Sequence, residues 1–110
     1  MFGKSYAENI QNLKPLTAGE VESLTEDSYI YFGRETCPYC REFSEQFPNA
    51  GVPIYIVDTQ NTFSDAKLQE IRETYDVVTV PTFIHRKKDG SFAKLNRDVR
   101  QTIADFVSQQ

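Results

Sequence analysis

The chain is poor in the residues that mark several large functional classes. It has two cysteines and one histidine in 110 residues. Two cysteines make no disulfide framework of the kind that holds small secreted domains together. A structural zinc site takes four Cys or His ligands, and Cys37, Cys40 and His85 are the whole supply, so no metal is expected. Positive charge is short as well: 12 Lys and Arg against 16 Asp and Glu give a net charge of −4, which carries no general signal for nucleic acid. No uninterrupted apolar run approaches the roughly 18 residues of a transmembrane helix, so no membrane association is expected. The start, Met1 to Ile10, has no apolar core of a secretory signal. The expected compartment is therefore the reducing cytoplasm, or an extracytoplasmic one if a leader has been removed. No repeats, linkers or low-complexity tracts occur, and 39% hydrophobic with 13% aromatic content suits one domain, 1–110, with a core of its own.

Both cysteines fall in one stretch, Tyr29-Ile30-Tyr31-Phe32-Gly33-Arg34-Glu35-Thr36-Cys37-Pro38-Tyr39-Cys40-Arg41-Glu42-Phe43. An apolar run leads through a polar turn into a helical pattern that opens with Cys-x-x-Cys. A thiol at a helix start lies among unpaired backbone N–H groups, which favour the thiolate, the nucleophilic form. Pro38 suits the first helical position because its missing N–H has no intrahelical partner to lose. Cys40, one turn on, comes within reach of Cys37. Cys37 is expected to be the exposed, low-pKa thiol and Cys40 the buried one. A purely structural disulfide would close a loop of two intervening residues and constrain the unfolded chain little. The unit reads as a dithiol/disulfide switch.

The rest of the chain supplies an α/β framework. Residues 5–16 read as a short helix and a short edge strand, separated because Pro15 disrupts a continuous helix. Thr17 and Glu20 form a capping pair before a helix of about eight residues with Val21 and Leu24 on its apolar face. Tyr29 to Gly33 read as a buried strand. Cys40, Phe43 and Phe47 recur at helical spacing up to Pro48, and Val52 to Asp58 form the next strand, parallel to the first across a helical crossover. Leu68, Ile71 and Tyr75 mark a helix near 64–75. Thr82 to Lys87 make a strand, Asp89-Gly90 a two-residue hairpin turn, and Ser91 to Leu95 the returning strand. A last helix opens at Asp98, with Gln101 as its capping partner and Val99, Ile103, Phe106 and Val107 on one face.

Cys37-Pro38-Tyr39-Cys40 after a buried strand, with Val80-Pro81-Thr82 about forty residues later before a hairpin and a terminal helix, resembles the thioredoxin superfamily across nearly the whole chain. The order of elements, with an extra N-terminal unit, resembles thioredoxin; C-P-Y-C and Thr79-Val80-Pro81 resemble glutaredoxin. The acidic front half and the Tyr-Ile-Tyr-Phe-Gly-Arg approach also resemble small bacterial proteins of the bacteriocin-transport accessory type. The resemblance implies an α/β thioredoxin fold, a central mixed sheet of four to five strands flanked by helices. It further implies catalytic Cys37 and Cys40, a substrate surface of Pro38, Tyr39, Val80 and Pro81, and a cis Pro81 that leaves the Val80 backbone free to pair with an extended substrate. Three positions depart from the pattern. Thr36 replaces a tryptophan, Tyr31 replaces a buried aspartate that serves as proton acceptor, and Ile54 replaces a nearby lysine. Leu95-Asn96-Arg97-Asp98 stands where glutaredoxins carry the Gly-Gly and Asp that hold glutathione.

The expected activity is thiol–disulfide exchange on disulfide-containing proteins by a monomer that needs no bound cofactor and is recharged by an unidentified reductase. The alternative is a thioredoxin-fold accessory module that assists a partner's folding or export with little turnover. His85 falls beside Phe83 on a core strand and reads as structural. Arg34 and Arg41 flank the cysteines, where they would favour the thiolate, grip an acidic partner, or simply be solvated. Arg86, Lys87, Lys88, Lys94, Arg97 and Arg100 form a basic cluster that reads as a docking face or as the wet edge of a hairpin.

Overall fold

Among the described residues, five strands and five α-helices are arranged around one mixed sheet. The computed structural model describes residues 4–110; the first three residues of the sequence, on which the signal-peptide reading partly rests, lie outside them. Helix α1 (Tyr6–Ile10) is capped by Ser5 and leads to β1 (Lys14–Pro15), and α2 (Ala18–Val21) precedes β2 (Ser28–Gly33). Helix α3 (Pro38–Phe43) leads to β3 (Ile54–Asp58), α4 (Ala66–Thr74) to β4 (Thr82–Arg86) and β5 (Phe92–Lys94), and α5 (Ile103–Ser108) closes the chain.

The strand order is β1-β3-β2-β4-β5. β3 runs parallel to both β1 and β2, as a helical crossover requires, while β2/β4 and β4/β5 are antiparallel. β2 is thus central, and alternation along it divides the core. Ile30 and Phe32 pack with Val21, Leu68, Ile71 and Tyr75 under α2 and α4. Tyr31 packs with Cys40, Phe47, Phe83, Ile103 and Phe106 under α1, α3 and α5. No helix among the described residues is long and apolar enough to cross a membrane.

Four elements depart from the sequence expectations. The helix after Thr17 has four residues rather than about eight, because the bonds of Ser23 to Glu20 and of Leu24 to Val21 tighten it into turns. The helix expected to run through Phe47 changes to a 3₁₀ segment, Ser44–Asn49, that contains Pro48. Pro48 has no N–H for the carbonyl of Ser44, and the Ser44 hydroxyl donates back to the Arg41 carbonyl at 2.6 Å. The hairpin loop has three residues, Lys88-Asp89-Gly90, since Lys87 faces Ser91 through a 2.7 Å bond and Gly90 takes φ 91°. Last, Asp98 does not open the terminal helix. Residues Arg97–Val99 form a separate 3₁₀ turn capped by Asn96, Arg100 turns left-handed at φ 53°, and Thr102 caps α5. Val99 is accordingly exposed, not on the core face.

Candidate active site

β2 ends at Gly33, and a short turn carries the chain to Cys37, which sits at the N-cap of α3 with Pro38 in the first turn. The turn is held by the Cys37 N–H on the Arg34 carbonyl (3.3 Å), by Thr36 donating to Gln60 (2.7 Å) and by the Arg41 guanidinium donating to the Glu35 carbonyl (2.7 Å). Across from it the Val80–Pro81 peptide is cis, and the Cys37 thiol donates to the Val80 carbonyl over 3.7 Å. That overlying loop leaves Cys37 only 6% exposed, whereas the sequence suggested an open thiol; Cys40 is wholly buried. Both thiols are free.

The two sulfurs are driven in opposite directions. Burial opposes the Cys37 thiolate, but the backbone N–H of Cys40, the Cys40 thiol, the Tyr39 N–H and the positive charge of Arg34 outweigh it, so its pKa is lowered. Burial dominates at Cys40 and raises its pKa, with the neighbouring Cys37 adding to the effect and the Arg34 N–H and the Tyr31 hydroxyl opposing it. This is the order a nucleophile and a second, resolving thiol require. In Cys40→Ser, alkylation of Cys37 against pH should show a midpoint below the ordinary thiol range; in Cys37→Ser, Cys40 should titrate above it. The reverse order would exchange their roles.

Tyr31 fills the space beneath the pair. It is fully buried, its ring stacks on Phe43 at 5.9 Å, and its hydroxyl bonds that of Tyr6 at 3.1 Å. Burial first, then the bond to Tyr6, holds Tyr31 protonated well above the usual phenol range, and burial pushes Tyr6 up to about 12. A neutral phenol is no proton acceptor for Cys40, but it can donate a hydrogen bond to the Cys40 thiolate as that forms. Tyr31→Phe should therefore move the alkylation midpoint of Cys40 further upward; an unmoved midpoint would show that the phenol does not act on the sulfur. Ile54 is buried in the same core cluster.

Pro38, Tyr39 and Val80 line a groove of about 930 Å³ that opens beside Cys37, and Pro81 lines a second hollow on the other side of Tyr39. Other sequence candidates lie elsewhere. His85 stacks on Tyr29 at 4.3 Å and meets Gln110 at 3.1 Å, a packing role. The basic cluster divides: Arg86 is buried and donates to the Tyr75 hydroxyl (2.8 Å) and the Leu24 carbonyl (3.2 Å), Lys94 pairs with Asp76, and Arg97 reaches the groove. Among the described residues no three His, Cys, Asp or Glu side chains gather as metal ligands would. The sequence reading missed Tyr6, Gly33, Phe63 and Arg72.

The sheet order, the N-cap cysteine and the facing proline loop can be compared with known structures. The J-Trx1 fragment of ERdj5 is 16% identical with a TM-score of 0.60, and the match covers 94% of this chain and 54% of that one. DsbH, described as an oxidoreductase, is 19% identical with a TM-score of 0.59, over 89% of this chain and 81% of that one. The fold is that of thioredoxin. This chain spans about half the length of the ERdj5 fragment. No family model and no curated protein matches it in sequence. Within the thioredoxin fold the Cys37–Cys40 pair occupies the end of a central strand where a helix begins.

Proposed function

We propose that the protein is a thiol–disulfide oxidoreductase acting on protein disulfides through Cys37 and Cys40. The observation that carries this reading is the placement of the two thiols, Cys37 at the N-cap of α3 beside a groove and against the cis Val80–Pro81 loop, and Cys40 wholly buried one turn behind it. The Cys37 thiolate attacks one sulfur of the substrate disulfide; that S–S bond breaks, a Cys37–substrate disulfide forms, and the first substrate thiolate leaves and takes a proton from water. Cys40 then loses its proton to water and attacks the Cys37 sulfur. The second substrate thiolate leaves, and two electrons have passed from the dithiol to the substrate. The Cys37–Cys40 disulfide is reduced again by an external thiol. The Val80 backbone, Pro81, Pro38 and Tyr39 hold the substrate chain in an extended form against the pair.

Insulin reduction driven by a small dithiol, run beside a titration of the free thiols, tests this. Catalytic turnover is expected. A pair that titrates at two thiols per chain yet does not accelerate insulin reduction would overturn the reading in favour of an accessory binding module.

A further inference from the structure

The groove beside Cys37 carries a charge opposite to that of the whole molecule. The chain has a net charge of −4, yet Arg34, Arg72 and Arg97 line the groove and no Asp or Glu does. Among the described residues none of the three arginines is in an ion pair. Their partners there are neutral: Arg34 reaches the Thr36 hydroxyl, Arg97 donates to Thr79 (3.0 Å), and Arg72 donates to the carbonyls of Val77 (3.1 Å) and Val78 (3.2 Å) and to Thr62 (3.1 Å). Hydrogen bonds to neutral acceptors position a guanidinium without cancelling its charge.

The same groove concentrates exposed apolar surface. Five large hydrophobic side chains stand exposed among the described residues, Tyr39, Phe63, Val78, Phe92 and Val99, and the first three line this groove. Phe63 is wholly exposed on the 3₁₀ turn Thr62–Ser64, and that turn is tied to α4 by the Gln69 amide. Aromatic and arginine side chains side by side around a reactive sulfur make a surface for a chain segment that is both apolar and anionic.

We propose that the substrates are polypeptides whose reactive cysteine is flanked by acidic residues together with an aromatic or aliphatic one, the carboxylates meeting Arg34 and Arg97 and the apolar side chain meeting Phe63 and Val78. This rests on the oxidoreductase reading above and specifies its substrate. Arg34 serves twice, since its charge also favours the Cys37 thiolate. Arg97, held by Thr79, supplies a second positive charge of the groove.

The test compares disulfide-linked peptides of one composition in which two residues next to a Leu-Cys core are Glu, Gln or Lys, with the small neutral bis(2-hydroxyethyl) disulfide as reference. Two exposed ion pairs predict a kcat/KM for the Glu peptide about tenfold above that for the Lys peptide, a ratio that shrinks as salt rises. In Arg97→Gln the preference for the Glu over the Lys peptide, each rate taken relative to the neutral disulfide, should fall about threefold through KM. Phe63→Ser should raise KM for all three peptides and leave their ranking intact. Equal rates for the Glu and Lys peptides, or a preference untouched by Arg97→Gln, would overturn the proposal. Fluorescence anisotropy with the same peptides carrying serine for cysteine separates it from the chemistry. A Glu preference in binding without any turnover would sustain the groove and sink the oxidoreductase reading, and equal binding would sink the groove whatever the turnover.

Discussion

Cys40→Ser should leave the protein covalently attached to its substrate and slow turnover by roughly 100-fold or more, because it removes an intramolecular nucleophile whose effective concentration no external thiol matches. Cys40 lies one helical turn beyond Cys37 and is wholly buried, so its sulfur reaches only the neighbouring sulfur. External dithiol must then approach the mixed disulfide from the groove side, past the Val80 loop that already leaves Cys37 6% exposed. The adduct should appear on a non-reducing gel and by intact mass, and vanish with reductant. Cys37→Ser should lose turnover equally and trap nothing, since the hydroxyl is a poor nucleophile at neutral pH and Cys40 holds its proton. An adduct through Cys40 in Cys37→Ser would reverse the roles of the two thiols, and a Cys40→Ser protein that turned over normally would show that one thiol suffices.

What could be read from the sequence was local. Tyr29 to Gly33, the proline after Cys37 and the helical spacing of Cys40, Phe43 and Phe47 are short-range patterns, and each places its element within a few residues. Where two local signals competed, a contact from elsewhere decided. Asp98 and Gln101 have the form of a capping pair, but the Gln101 side chain bonds the Asn96 N–H at 2.9 Å and closes a turn instead. The first turn of α5 is then completed by Gln46, whose amide oxygen accepts from the Ile103 N–H at 2.7 Å. The site follows the same rule. The cysteine pair is contiguous in sequence and was visible, while Tyr6 reaches Tyr31 from 25 residues away. Arg72 and Phe63 come to the groove from segments after β3, and only the placement of β3 beside β2 brings them near Cys37. No periodicity or motif in those segments announces that neighbour.

Gly33 is a consequence of Tyr31, and replacing it should produce the largest loss of stability of any single methyl addition near the site. A Cβ built on Gly33 would lie 2.0 Å from the Tyr31 hydroxyl oxygen, 2.3 Å from Cζ and 2.8 Å from Cε1. Both residues point to the same face of β2, and the phenol lies back across the glycine. The ring has no free direction: Phe43 stacks on it, Phe47 meets it edge-on at 4.8 Å, and Tyr6 holds its hydroxyl. Gly33→Ala must therefore move the ring or bend the central strand. Overpacking of this kind costs about 1–3 kcal/mol or somewhat more, and loss of the buried Tyr6–Tyr31 bond adds about 1 kcal/mol, so a destabilisation of roughly 3 kcal/mol or more is expected. For a domain of this size that lowers the melting temperature by roughly 10 °C or more. Tyr31→Phe should rescue it only in part, since two ring carbons stay in the way, whereas in a Tyr31→Val background the same Gly33→Ala change should cost less than about 1 kcal/mol. Thermal melts of the four proteins of that cycle measure the coupling, and a Gly33→Ala protein as stable as the wild type would mean that Tyr31 does not lie over Gly33. The displaced phenol also leaves Cys40, so in the Cys37→Ser background Gly33→Ala should raise the alkylation midpoint of Cys40 as Tyr31→Phe does. Strand packing and the readiness of the second thiol to ionise thus depend on the same missing methyl group.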